Sequence, residues 1–178
     1  MRGLIRGASI AVVALLPLGT ALAAPVPTWD RVVNGAGRFK VRSAMDSQAV
    51  LDKETGLVWE RVLDQAASTY DTAAELCLRR AVGGRYGWRL PTAPELLSLY
   101  DPSGTSNRRL PDGHPFSHLL SGSVQSATNA TYSTTGDATW GVNFTAQPPN
   151  FLTVSPKAFS AHPLVWCVRG PGDTGIDP

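Results

Sequence analysis

The chain has 178 residues, 43% of them hydrophobic and 17% charged, with 17 glycines and 14 prolines. That length suits one domain with a core of its own, so folding does not depend on a metal or a dense disulfide framework. Low charge with many Gly and Pro excludes a coiled coil and an all-helical bundle, the hydrophobic fraction excludes a wholly disordered chain, and no fixed-period repeat is present.

Residues 1–23 read as a signal peptide. Arg2 and Arg6 form a basic lead, Ala8 to Leu18 is an apolar run too short to span a bilayer, and Ala21-Leu22-Ala23 is a small-x-small cleavage site. No other apolar run is long enough to cross a membrane, so no membrane span is expected after cleavage. Cutting after Ala23 leaves 155 residues with 14 bases against 14 acids, and the formal charge of +2 becomes zero. Neutrality argues against nucleic acid as a partner, because that binding is driven by phosphate neutralisation. The sequence predicts export to the periplasm or the cell exterior.

The charge is uneven. Residues 79–109 hold Arg79, Arg80, Arg85, Arg89, Arg108 and Arg109 against Glu95 and Asp101 only. That excess is either an anion-facing patch or a set of solvated and internally paired arginines. Cys77 and Cys167 are the two cysteines. In an exported chain such a pair predicts a disulfide, and no local spacing points to a reactive or metal-binding pair instead.

In chain order, residues 24–37 read as a loose N-terminal lead. Phe39 and Val41 alternate with Lys40 and Arg42, a short strand. Ala49–Asp52 and Leu57–Glu60 flank the turn Lys53-Glu54-Thr55-Gly56, a hairpin. A first helix is expected over 72–82, capped by Thr72 and Glu75, with Ala73, Leu76, Cys77 and Ala81 on one face and Gly83-Gly84 as the stop. A second capping box, Thr92 with Glu95, opens a short helix ending near Asp101-Pro102, with Pro94 tolerated in its first turn. Residues 101–122 are loop-like. Short strands follow at 123–128, 138–145, 151–154 and 164–169, and 171–178 form a flexible tail. Two short helices, a strand-rich second half and long loops make an α+β domain.

The ordered motifs resemble the Lcl C-terminal domain family, a secreted bacterial module of largely unknown function related to the C-type lectin fold. The matching pieces are Asp52-Lys53-Glu54-Thr55-Gly56-Leu57-Val58-Trp59-Glu60; Ala74 and Cys77; Gly84 with Trp88-Arg89-Leu90-Pro91-Thr92 and Glu95-Leu96; Trp140-Gly141-Val142-Asn143-Phe144; and Cys167-Val168-Arg169. The resemblance implies a lectin-like domain over 38–170, with a helix tied to the last strand by a Cys77–Cys167 disulfide. It implies a structural role for Arg89, paired with Asp52 or Glu95, and core positions for Trp59, Trp88 and Trp140. Two places depart from the family pattern: Val124-Gln125-Ser126-Ala127-Thr128 stands where a Tyr-Trp-Ser-Ser-Thr-like strand is usual, and Trp166 stands where an Arg precedes the Cys. Any ligand contact that relatives make there is altered here.

Catalytic signatures are missing. There is no Gly-x-Ser-x-Gly elbow, phosphate loop or dinucleotide fingerprint. His114 and His118 are separated by Pro115 in a loop, and with His162 they make no zinc pattern. Gln147-Pro148-Pro149-Asn150 lacks the single flanked Pro and the later Asn-Asp pair of the calcium loops in sugar-binding lectins, so it reads as a plain loop. The sequons at Asn129 and Asn143 read as chance in a bacterial chain. No catalytic residue, metal or cofactor is expected. The sequence predicts a non-enzymatic binding or adhesion module for glycans or another cell-envelope component, with Arg85, Arg108 and Arg109 flanking the 101–122 loop as the contact residues. The alternatives are an enzyme like the formylglycine-generating (sulfatase-modifying) enzymes, which need reactive cysteines, and a purely structural envelope protein.

Protein recovered from its native host is expected to begin at Ala24 on N-terminal sequencing. Retention of Met1 on the exported protein would refute the signal peptide.

Overall fold

The computed structural model describes residues 35–170, apart from 64, 68, 106–107, 119–120, 132–136 and 158–163. The expected signal peptide, the expected lead up to 34, the expected tail at 171–178 and His162 lie outside the described residues. The elements are α1 (Gly35–Arg38), β1 (Phe39–Val41), a single 3-10 turn (Ser43–Met45), β2 (Ala49–Asp52), β3 (Val58–Glu60), β4 (Gln65–Ala66), α2 (Tyr70–Leu78), α3 (Ala93–Leu99), β5 (Ser123–Ala130), β6 (Ala138–Asn143), β7 (Leu152–Pro156), β8 (Leu164–Val165) and β9 (Val168–Arg169). The domain is α+β with a strand-rich second half.

The strands form two sheets, one ordered β1-β2-β3-β9 and one ordered β4-β8-β5-β6-β7. All pairings are antiparallel except the short β5–β8 contact. The predicted hairpin is β2–β3. Its turn is built by Asp52, whose carboxylate accepts the Glu54 N–H (3.0 Å) and the Thr55 hydroxyl (2.8 Å). The same carboxylate takes a forked pair of bonds from Arg38, 2.8 and 2.6 Å, and both side chains are buried. Arg38 thereby ties α1 to the hairpin.

Alternation along the first sheet sorts its side chains into two cores. The cross-strand row Val50, Trp59, Val168 faces a cluster with Leu96 and Leu99 of α3, Phe116, Val124, Val142, Phe144, Leu164 and Trp166. The opposite face carries Ala49 and Val58 against Ala73 and Cys77 of α2, Met45, Trp88 and Leu90.

The segment expected as one strand over 164–169 divides. Residues 164–165 pair in the five-stranded sheet, 168–169 pair in the four-stranded one, and Trp166-Cys167 cross between them. Trp166 is fully buried among Trp59, Phe116 and Phe144, with ring centroids 5.4, 4.9 and 5.7 Å away. Its Nε1–H donates to the Glu60 carbonyl at 2.8 Å. Cys167 is bonded to Cys77, Cα–Cα 5.4 Å, closing a span of 90 residues. Both sulfurs are out of solvent.

Several boundaries differ from the sequence reading. The last residues of the lead form α1. The first helix runs 70–78 rather than 72–82, because Thr69 outcompetes Thr72 as N-cap. The Thr69 hydroxyl accepts the Thr72 N–H (3.2 Å) and the Thr72 hydroxyl accepts the Thr69 N–H (2.9 Å), a reciprocal box one turn ahead of the expected one. Glu75 pairs instead with Arg79 on the exposed face, 2.5 Å. The helix stops early as Arg80 N–H bonds the Cys77 carbonyl (3.0 Å) and carries Arg80 onto buried Glu60 (2.9 Å). β6 ends at 143 because the Asn143 side chain accepts the Thr145 N–H and hydroxyl, 2.9 and 2.6 Å, and turns the chain.

Cys77→Ser or Cys167→Ser should lower the unfolding free energy by about 2–4 kcal/mol, the usual range for closing a long loop. Urea unfolding compared with the oxidised wild type measures this. Free thiols in protein from an oxidising compartment would overturn the bridge.

Candidate functional site

The run Trp88-Arg89-Leu90-Pro91-Thr92 stitches the two sheets together. Arg89 exchanges backbone bonds with Val168 of β9, 2.9 Å each way, while the Pro91 carbonyl accepts the Ala127 N–H of β5 at 2.7 Å. Trp88 is buried and donates its Nε1–H to the Arg85 carbonyl, 2.7 Å. The Arg89 guanidinium forks onto Glu95, 2.8 and 2.6 Å. Of the two carboxylates expected for Arg89, Glu95 is therefore the partner, and Asp52 belongs to Arg38. Glu95 also accepts the Thr92 N–H (2.7 Å), and its own N–H donates to the Thr92 hydroxyl (3.4 Å), the capping box of α3. Burial pushes the Glu95 carboxyl up, but the Arg89 guanidinium and the Thr92 groups outweigh it and hold its pKa below the ordinary value. The Arg89 pKa is raised by the bond to Glu95.

Trp59 is fully buried, like Trp88, while Trp140 is only half-buried on β6, opposite exposed Val154. The departures from the family pattern fall inside. Val124, Gln125 and Ser126 are buried, and Trp166 fills the centre of the core. At the latter position Trp166 is shut off from solvent.

The loops gather at one end of the fold. Tyr100 closes α3, stacks on Phe151 at 4.5 Å and donates its hydroxyl to the Ala146 carbonyl at 2.8 Å, and burial raises its pKa. The Arg109 N–H donates to the Phe144 carbonyl (2.7 Å), and its Nη1 to the Gly104 carbonyl (3.0 Å). The Gln147 carboxamide, with its oxygen toward Arg109, accepts from Nε at 3.1 Å. Gly104 is required here, since a Cβ would stand 2.5 Å from the Leu110 carbonyl oxygen. Arg109 is thus the clasp between the 101–110 and 144–151 loops. Arg108 turns outward and reaches the Ser121 hydroxyl at 3.0 Å on the exposed surface. Gln147 to Asn150 form the exposed tip of the second loop.

The three arginines expected to share a contact surface are split among roles. Arg85 sits in the tight turn after α2, where the neighbouring Gly83 N–H bonds the Gln48 side chain (2.9 Å), on a different loop from Arg108 and Arg109. Sequence reading missed the meeting of Arg109 with Phe144 and Gln147, which lie far from it in the chain. Among the described residues, no three His, Cys, Asp or Glu are placed to hold a metal, and no helix is long and apolar enough to cross a membrane. His114 is half-buried against Phe116 and His118 is exposed.

Glu95→Gln keeps the capping reach and removes the charge. Because Arg89 is partly exposed, the loss at neutral pH should be about 0.5–1 kcal/mol. The depressed pKa sets the sign: the ion pair's contribution is complete above the unfolded carboxylate pKa and disappears as pH falls through the folded one. The gap in urea midpoint between wild type and variant should therefore close on moving from about pH 7 to about pH 3. A gap that persists in acid would assign the effect to packing.

No curated protein and no solved structure gives a match. The family model described as the Lcl C-terminal domain matches residues 48–169, from the start of the β2–β3 hairpin to the end of β9. That span holds the Asp52 turn, both cysteines, the sheet-stitching run and the clasped loops, and the chain belongs to the Lcl C-terminal domain family.

Proposed function

We propose that the chain is an exported, non-enzymatic binding or adhesion module with a lectin-like layout, and that its clasped loop end contacts a glycan or another envelope component. The observation that carries this reading is the Arg109 clasp. It holds two long loops together on a doubly layered scaffold, with half-buried Arg108 reaching the Ser121 hydroxyl at the surface and the 147–150 tip exposed. Fixed loops present polar groups without the ordering cost that flexible ones incur on binding. An outward guanidinium suits sulfate, carboxylate or sugar hydroxyls. The formylglycine-generating alternative needs reactive cysteines, and both cysteines of the chain are consumed in the buried bridge.

A glycan array of sulfated and uronic sugars, probed with the mature protein, tests the reading. Arg108→Ala should keep the fold and weaken any anionic glycan hit by about tenfold, the scale of one charge-assisted bond. The same binding should fall with added salt and survive a calcium chelator. An unchanged affinity in Arg108→Ala moves the site elsewhere, and an array without hits favours the purely structural envelope protein. Arg109→Ala is the unsuitable variant, because it opens the clasp.

A further inference from the structure

We propose that His114 is an acid-sensitive latch holding the first helical turn of the domain, Gly35–Arg38, against the 111–114 loop.

The junction is unusually close. The Gly35 N–H donates to the Asp112 carbonyl at 2.9 Å. A Cβ on Gly35 would stand 2.7 Å from the Asp112 oxygen, 2.7 Å from the His114 nitrogen and 2.8 Å from the Pro111 oxygen. The backbone of His114 is thus one wall of the slot that receives α1, and a shift of this residue is a shift of the slot. Its ring stacks on Phe116 at 5.8 Å, and Phe116 in turn meets Phe39 at 5.1 Å and Trp166 at 4.9 Å. The ring therefore borders the main aromatic core.

Its Nδ1 is buried and has no hydrogen-bond partner. With the proton on Nε2 the bare Nδ1 is tolerated. A second proton creates a buried donor with no acceptor on a ring that is only half in solvent, which is the costlier state. The charged groups around it do not remove that cost. Asp112 is the favourable neighbour, but its carboxylate is held by the Thr105 N–H and hydroxyl, 3.0 and 2.9 Å. Arg61 reaches the Pro115 carbonyl at 3.1 Å and brings positive charge. Arg38 of α1 lies over Phe39 and is committed to Asp52 and Glu54. Burial accordingly holds the His114 pKa below its ordinary 6.5, against the pull of Asp112.

The sign follows from linkage. The closed junction binds fewer protons than the open one, so the latch is complete above the ordinary histidine pKa and weakens as pH falls below it. Opening loosens the Gly35 end of α1 from the 111–114 loop, while the Arg38 fork on Asp52 and the disulfide-tied sheets stay in place. The device borders the clasped 101–110 loop, to which Asp112 is bonded through Thr105.

Native-state hydrogen exchange of the mature protein at about pH 7.5 and about pH 5 tests this, corrected for intrinsic rates. Amides of 35–38 should exchange about tenfold faster at the lower pH, while β2, β3 and β9 stay protected. The proton NMR titration of His114 in wild type should have its midpoint below the ordinary histidine value of 6.5. In His114→Phe, which keeps an aromatic ring and cannot titrate, the acid-induced increase at 35–38 should vanish. Equal exchange at both pH values, or an increase that persists in His114→Phe, overturns the proposal. If that variant does not fold, the wild-type titration decides: a His114 midpoint at or above the ordinary 6.5 overturns it as well.

Discussion

The passage of Trp166-Cys167 from one sheet to the other is the constraint on which the other contacts rest. A chain that leaves one sheet and joins another must bury backbone that belongs to neither, and buried polar groups need partners. Glu60 supplies them. Its carboxylate accepts the Cys167 N–H at 3.1 Å and its carbonyl accepts the Trp166 indole N–H. Arg80 then neutralises the buried acid from the end of α2. The two side chains of the crossing point to different cores: Trp166 enters the aromatic cluster and Cys167 enters the α2 side. One dipeptide thus fixes the separation of the sheets, the position of α2 and the centre of the larger core.

The same logic accounts for what the sequence disclosed. The Thr92–Glu95 box and the Asp52 turn were legible because donors and acceptors sit within four residues and need no tertiary help. The Cys77–Cys167 bridge was legible because the chain has two cysteines and reads as exported. The start of α2 was misjudged since Thr69, Thr72 and Glu75 offer two overlapping boxes, and sequence spacing alone does not rank them. The division of 164–169 was hidden because Leu164 to Val168 is a continuous apolar run with no internal break. The role of Trp166, the Arg38–Asp52 fork and the Arg109–Gln147 clasp depend on segments brought together only by folding.

The arginine excess of 79–109 is dispersed rather than pooled. Arg79 meets Glu75, Arg80 meets Glu60, Arg89 meets Glu95, and Arg109 spends its donors on loop oxygens. Most of the local positive charge is therefore used to hold loops and helix ends in place. The reading of the excess as solvated and internally paired arginines accounts for these four.

The 90-residue ring closed by the disulfide runs from the end of α2 and encloses α3, both clasped loops and β5 to β8. A protease that nicks any exposed loop inside this ring leaves a single covalent molecule, with the new ends still held by the sheets on either side. The ring turns a cut that would separate the domain into two pieces into a local break in one loop.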